Sequence, residues 1–114
     1  MMTHTRLRKF NTQDTYPEQK LDNDLCQAVI ATGTTVFLRG QVAQDLETRE
    51  SLFKDDAGAQ ANKAMENVSL LLGEAGSDLG QVCRVVVYLT DIRYRERVYQ
   101  EIGCLLYTSD AADE

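Results

Sequence analysis

The sequence predicts an α+β fold, in which a mixed β-sheet carries two α-helices on one of its faces. Three observations lead to this class: a glycine-containing turn between two β-type runs, a long amphipathic helical stripe, and a nearly continuous apolar run after that stripe. The predicted order is β, β, α, β, α. Because the two helices cover only one face of the sheet, the other face needs a partner, and self-association supplies one.

The first two predicted strands form a β-hairpin around Gly33. Residues 26–31 are a short apolar run, and residues 35–42 are rich in β-branched and aromatic side chains. Gly33 lies between them, where a glycine-containing turn favours a hairpin. An earlier strand is predicted at residues 6–11, whereas the polar residues 12–23 are predicted to form a loop.

Residues 57–76 have the periodicity of an amphipathic α-helix. Eight apolar residues recur on one face: Ala57, Ala61, Ala64, Met65, Val68, Leu71, Leu72 and Ala75. Asp55 or Asp56 supplies an oxygen for the free amides of the first turn. Gly76 closes the helix, since glycine adopts a left-handed conformation at little cost. We predict that the apolar stripe faces the core.

The last predicted elements are a strand and a second helix. Residues 82–89 are apolar or β-branched except for Arg84, which is typical of a strand covered on both faces. Asp91 can cap a helix in which Val98, Ile102 and Leu105 recur at helical spacing.

Length, charge and cysteine content exclude several classes of protein. The 114 residues suffice for one domain, and the net charge of -6 with no long basic run argues against nucleic-acid binding. No stretch has the apolar length of a membrane span, and the N-terminus lacks the apolar core of a signal peptide, so we expect a cytoplasmic protein. With three scattered cysteines and the single His4, neither a metal site nor a disulfide framework is expected.

Two short segments resemble the Rid family, also called YjgF/YER057c/UK114, of small trimeric imine and enamine deaminases. Arg39-Gly40-Gln41 matches the family's Ser-Gly-Gln, and residues 24–28, Asp-Leu-Cys-Gln-Ala, match its Pro-Tyr-Ser-Gln-Ala. Residues 37–41, Phe-Leu-Arg-Gly-Gln, resemble a side branch of the family. The resemblance implies a chorismate mutase-like sandwich, a homotrimer, and no metal or organic cofactor.

The same resemblance implies a reaction for the intact parent protein: hydrolysis of reactive 2-imino acids or enamines to 2-oxo acids and ammonia. In the family an arginine on a late strand holds the substrate carboxylate, and a glutamate on the last strand helps to position the attacking water. Both should lie beyond Gly103, so we expect no catalytic residue in this chain. The alternative is a non-catalytic trimeric protein that binds or senses a metabolite. An RNA-directed role, attached to some family members, is disfavoured by the net charge.

Five residues are predicted by the resemblance to line the substrate pocket. Leu25 replaces the pocket tyrosine, Arg39 replaces the pocket serine beside Gly40, and Arg93 replaces a polar Asn, with Tyr94 next to it. Arg39 would contact a substrate carboxylate directly or through water; alternatively it is a solvated or intersubunit arginine paired with an acid. Arg93 has the alternative of a solvated charge, and Tyr94 that of a core or interface residue.

The C-terminal residues 104–114 do not fit the family. They read Cys-Leu-Leu-Tyr-Thr-Ser-Asp-Ala-Ala-Asp-Glu, which resembles a peptide translated from sequencing-adapter DNA. We therefore expect a single Rid-like domain at residues 1–103 that lacks its C-terminal strands, followed by a non-native tail. The alternative is a genuine short acidic tail.

Overall fold

A computed structural model describes residues 4–19 and 22–113, with side chains up to Leu106. The fold combines short antiparallel strands with two long helices. The strands are β1 (His4–Leu7), β2 (Phe10–Asn11), β3 (Asp24–Leu25) and β4 (Ala28–Ala31). The helices are α1 (Thr12–Thr15), α2 (Ala57–Glu74) and α3 (Arg95–Asp113), with 3₁₀ turns at Pro17–Gln19, Leu79–Gln81 and Ile92–Tyr94. The predicted α+β class is confirmed.

Helix α2 begins and ends where the sequence predicts. The Asp56 carboxylate accepts a hydrogen bond from the Ala59 amide at 3.0 Å, which satisfies a free donor of the first turn. At the other end Gly76 has a φ of 80°. The Ser77 amide donates to the Leu72 carbonyl at 2.7 Å and the Gly76 amide to Gly73 at 3.1 Å. This bonding pattern is a Schellman motif, for which a left-handed glycine is favoured.

The core lies between α2 and α3, which pack against each other. From the predicted stripe, Ala61, Met65 and Leu72 are buried, and Val98 of α3 meets them. Helix α3 also packs on the 3₁₀ turn at Leu79–Gln81. The prediction that the stripe forms the core is confirmed. Helix α3 continues through Gly103 without a break.

The sheet consists of two separate antiparallel pairs among the described residues. Strand β1 pairs with β4, with His4 opposite Ala31, and β2 pairs with β3, with Phe10 opposite Leu25. The predicted first strand is interrupted by Arg8, whose φ of 55° is left-handed. The polar loop predicted at residues 12–23 contains α1 and a 3₁₀ turn.

The hairpin predicted around Gly33 is wrong. Gly33 makes the expected left-handed turn, with a φ of 96°, but β4 pairs with β1, and residues 35–42 have no regular secondary structure. Strand preference measures how well a side chain fits a covered sheet, not an autonomous backbone choice. No strand among the described residues lies beside this segment, so its β-branched side chains alone do not make it a strand.

The strand predicted at residues 82–89 is also absent from the described part of the chain, for the same reason. Its apolar side chains are left uncovered: Val86 is 54% exposed and Tyr88 is 92% exposed, and Phe37 of the preceding segment is 90% exposed. Isolated segments of this composition need partner strands or a second surface to bury their side chains.

Candidate functional site

The Arg39-Gly40-Gln41 segment lies exposed between the Gly33 turn and α2. The Gln41 side-chain amide donates to the Arg39 carbonyl at 2.9 Å, which folds the segment locally on itself. The Arg39 guanidinium is exposed and, among the described residues, forms no hydrogen bond or ion pair. A guanidinium in this state offers its whole planar fork to an incoming carboxylate.

The segment joins the rest of the protein at the residues that follow it. The Val42 carbonyl accepts a hydrogen bond from the Gln44 amide at 2.8 Å, which closes a tight turn around Ala43. The Ala43 carbonyl accepts from the Leu52 amide at 2.9 Å. From α2, the Asn67 carboxamide donates to the Val42 carbonyl at 3.2 Å and to the Gln44 carbonyl at 2.8 Å. Through Asn67, the residues that directly follow the Arg39-Gly40-Gln41 segment are therefore tethered to helix α2.

Arg93 is held by an acid two residues before it. Its Nε donates to both carboxylate oxygens of Asp91, at 3.0 and 3.1 Å, and its Nη2 donates to Oδ2 at 2.6 Å. The same carboxylate accepts from the Arg93 amide at 3.0 Å and so caps the 3₁₀ turn. These hydrogen bonds lower the pKa of Asp91 and raise that of Arg93. Asp91 thus takes the Nε and Nη2 side of Arg93 and leaves the Nη1 side for any further carboxylate.

The other two predicted pocket residues lie on different elements. Leu25 is in β3 with its side chain 44% exposed, and Tyr94 ends the 3₁₀ turn beside Arg93 with 50% exposed. Within the described ranges, no hydrogen bond or ion pair joins Leu25, Arg39 or Gly40 to Arg93 or Tyr94. Among the described residues, the predicted pocket residues that lie together are therefore the sequence neighbours, Arg39 with Gly40 and Arg93 with Tyr94.

Two cavities lie elsewhere, on both sides of the loop that precedes α2. A cavity of about 440 Å³ is lined by residues of α2, of α3 and of the loop before α2, among them Phe53, Asn62, Lys63, Glu66, Arg97 and Glu101. Its charges are paired: Arg97 with Glu101, which also accepts from Asn62 at 3.3 Å, and Lys63 with Glu66 at 3.7 Å. The second cavity, of about 390 Å³, is lined by Val42, Ala43, Ser51, Leu52, Lys54 and Gln60.

The loop between these cavities is held in an unusual conformation. Arg49, Phe53 and Asp55 all have left-handed φ angles, of 65°, 59° and 64°. Such angles are costly for residues with a Cβ and persist when surrounding contacts fix them. Here the Asp45 carboxylate accepts from the Glu47 and Thr48 amides at 2.8 and 2.9 Å. The loop connects the Arg39-Gly40-Gln41 segment to α2, and its first turn is held by Asp45.

The described residues contain no group of three or more His, Cys, Asp or Glu side chains that could hold a metal ion. None of the helices in residues 4–19 and 22–113 has the length and apolar character needed to cross a membrane.

Asn67 is the residue near the site that sequence reasoning missed. It lies three residues after Ala64 and four before Leu71, so it falls on the predicted apolar face. A polar residue at such a position is a signal for a buried hydrogen bond, and Asn67 is indeed buried with 2% of its surface exposed.

Comparison with known proteins gives one family and several relatives. A family model, Ribonuc_L-PSP, described as Endoribonuclease L-PSP, matches residues 19–106. A RutC family protein of Pyrococcus abyssi is 40% identical over 63 residues, which are 55% of this chain and 49% of the relative. Protein DfrA of Myxococcus xanthus is 37% identical over 78 residues, or 68% of this chain and 59% of the relative.

A RutC family protein of Pyrococcus horikoshii is 36% identical over 63 residues, 55% of this chain and 49% of the relative. The chain therefore spans about half the length of the curated relatives that it matches. No solved structure matches the chain significantly.

Proposed function

The chain belongs to the Rid (YjgF/YER057c/UK114) family, and from this we propose that the intact protein hydrolyses 2-imino acids or enamines and that Arg39 adds a contact to the substrate carboxylate beside the arginine expected beyond Gly103. The products of the intact protein would be a 2-oxo acid and ammonia. The enamine tautomer of the same substrate would enter through its imine form. No metal or organic cofactor takes part in the proposed reaction.

The observation that carries the proposal is the state of Arg39. Its guanidinium lies on the family segment Arg39-Gly40-Gln41, is exposed, and forms no ion pair within the described residues. A guanidinium pairs with a carboxylate through two parallel hydrogen bonds, which fix both the position and the orientation of a small acid. Arg93 is the weaker candidate because Asp91 already occupies its guanidinium.

The proposed reaction needs little from the protein besides orientation. Water adds to the imine carbon, a proton moves to the nitrogen, and the resulting tetrahedral amino alcohol collapses to the 2-oxo acid and ammonia. Holding the carboxylate fixes the imine carbon relative to the attacking water, which reduces the entropic part of the barrier. In the intact enzyme the acid–base group comes from residues other than those named here.

A non-catalytic, metabolite-binding protein is the second candidate. It is favoured by Leu25, which places an exposed aliphatic side chain where the family has a hydroxyl-bearing tyrosine. A pocket that lost this hydroxyl would still bind a carboxylate through Arg39. Such a protein would bind 2-oxo acids without accelerating their formation.

A self-associated form is part of both proposals. The exposed Phe37 and Tyr88 side chains belong to two segments of strand-type sequence that find no cover within the described part of one chain. A homotrimer would bring a second copy against these segments. A cytoplasmic location would suit the substrate, since amino-acid metabolism generates imino acids there.

Ribonuclease action, which the description of the family model names, is not proposed for this chain. The net charge of -6 leaves no concentrated cationic face for a phosphate backbone. Failure to retain RNA at low salt is the expected result of a filter-binding assay.

The test is to generate a 2-imino acid in place with an amino-acid oxidase and to follow ammonia release. If the proposal holds, the intact parent protein accelerates release and its Arg39→Gln variant does not. Binding of pyruvate without acceleration would select the metabolite-binding protein. Absence of both binding and acceleration would reject both functions.

A further inference from the structure

Asn67 is among the most deeply buried side chains in the described residues, and its hydrogen bonds reach outside its own helix. It lies in the middle of α2 with 2% of its surface exposed. A carboxamide carries two N–H donors, and both find acceptors on one neighbouring segment: the Val42 carbonyl at 3.2 Å and the Gln44 carbonyl at 2.8 Å. A buried amide with both donors satisfied on the backbone of another segment fixes that segment in place.

The residues fixed by Asn67 directly follow the proposed carboxylate-binding segment. Val42 is three residues after Arg39, and the Gln41 side chain bonds back to the Arg39 carbonyl at 2.9 Å. Among the described residues, the hydrogen bonds of residues 33–41 are local, so the first tether to another element comes at Val42. The position of the Arg39 guanidinium therefore depends on the Val42 anchor.

Helix α2 is well suited to provide this anchor. It is capped at both ends and forms the core with α3. A tether from a rigid helix reduces the freedom of an irregular segment, which lowers the entropy that the segment loses when a ligand binds. Residues 35–42 form no β-ladder among the described residues, so sheet hydrogen bonds do not hold this segment in place.

We propose that Asn67 is a positioning residue that holds the Arg39-Gly40-Gln41 segment in its ligand-binding conformation through the Val42 and Gln44 carbonyls. It does not touch the substrate. The inference rests on the proposed function for the identity of the ligand, but not for the tether itself. Loss of the two donors would leave the Gln44 carbonyl without its partner, take one of two partners from the Val42 carbonyl, and release the segment.

The test replaces Asn67 by leucine, which has a similar shape and no donor. Hydrogen exchange of the Gln44 and Leu52 amides, which donate to the Val42 and Ala43 carbonyls, and the Kd for pyruvate are measured on the whole chain. We expect Asn67→Leu to speed exchange at both amides at least tenfold and to weaken pyruvate binding at least tenfold. The matched control is Leu72→Val, a buried change in the same helix without contact to Val42, which should leave both values within twofold.

A second variant covers the case in which Asn67→Leu fails to fold. Asn67→Ser avoids the larger leucine side chain and keeps one hydroxyl donor, and it should give the same changes at a smaller size. Unchanged exchange at Gln44 in a folded variant would overturn the proposal. Faster exchange with unchanged pyruvate affinity would reduce Asn67 to a structural residue and also overturn it.

The two proposals fail in distinguishable ways. If the wild-type chain does not bind pyruvate, the proposed function fails, while the exchange of Gln44 still decides whether Asn67 holds the segment. If the wild-type chain binds and Asn67→Leu binds equally well, the proposed function stands and the positioning role is rejected.

Discussion

Among the described residues, three arginines are each held by a nearby acid. Asp91 occupies Arg93, Asp24 binds Arg6 at 2.8 Å, and Glu101 binds Arg97, whereas Arg39 has no such acid among the described residues. A sequence gives the identity of these residues but not which acid each reaches. Arg6 of β1 and Asp24 of β3 are separated by eighteen residues, and their pairing depends on β1 pairing with β4 and β2 with β3.

The Arg97–Glu101 pair predicts a pH dependence of stability. The Arg97 hydrogen bond, and more weakly the Asn62 one, lowers the pKa of Glu101 below its ordinary value of 4.5. A lowered pKa means that this contribution is fully present above pH 4.5 and is lost as the pH falls through the folded-state pKa. We expect Arg97→Gln to cost up to about 1 kcal/mol near pH 7, since the pair is largely exposed.

The measurement is urea unfolding of both proteins from pH 7 down to pH 3. The cost of Arg97→Gln should shrink in the acid range, whereas Arg84→Gln, at an exposed arginine without an ion pair among the described residues, should show no such trend. A cost that stays constant with pH would show that Arg97 acts through packing instead.

The N-cap of α2 gives a second prediction at this scale. Asp56→Ala removes the acceptor of the Ala59 amide and should lower the free energy of unfolding by about 1 kcal/mol. The control is Asp78→Ala, because Asp78 precedes a 3₁₀ turn without accepting a capping hydrogen bond. Equal losses from the two variants in urea unfolding would argue against a capping role for Asp56.

At the scale of elements, the helices could be predicted from sequence and the central strands could not. The stripe, Asp56 and Gly76 fix α2 through interactions within about one turn, so the local sequence suffices. Residues 35–42 and 82–89 have strand-type sequences, but a strand exists only beside another strand. Pairing partners are set by the whole chain, which is why β4 pairs with β1 and the expected hairpin does not form.

Two glycines of α2 give a matched prediction. A Cβ at Gly73 would meet nothing within 4 Å, so Gly73→Ala should stabilise the helix by about 1 kcal/mol through its higher helix propensity. A Cβ at Gly58 would overlap the Arg97 guanidinium and push it away from Glu101. Gly58→Ala should therefore gain less.

Thermal unfolding measures both variants. Adding Arg97→Gln removes the obstructing guanidinium, so in that background Gly58→Ala should recover most of the missing gain. If the two alanines stabilise equally in the wild-type chain, Arg97 does not require a glycine at position 58.

At the scale of the molecule, we expect the unburied strand-type residues to control association. Phe37 and Tyr88 are about nine-tenths exposed in one chain, at 90% and 92%. We expect sedimentation velocity to show association that increases with concentration, and Phe37→Asp to reduce it. Leu70→Asp, on the outer side of α2 with 53% of its side chain exposed, is the control and should leave association unchanged. A strictly monomeric wild-type chain would contradict this expectation.

In the candidate site, as in the fold, some features could be predicted from the sequence and others depend on the folded chain. Family motifs identified Arg39, Gly40, Leu25, Arg93 and Tyr94 as pocket residues, and their roles stay predictions. Local sequence could not show that Asp91 neutralises Arg93 or that Asn67 anchors Val42, because both depend on side-chain placement in the folded chain.

The most direct test of the central claim is a pyruvate titration followed by the Nε–Hε NMR signals of the arginines. A carboxylate that binds one guanidinium shifts that signal and leaves the others in place. We predict a saturable shift of the Arg39 signal, with the Arg93 signal fixed by Asp91. A shift of Arg93 alone, or of no arginine, would contradict the assignment of Arg39 as the carboxylate ligand.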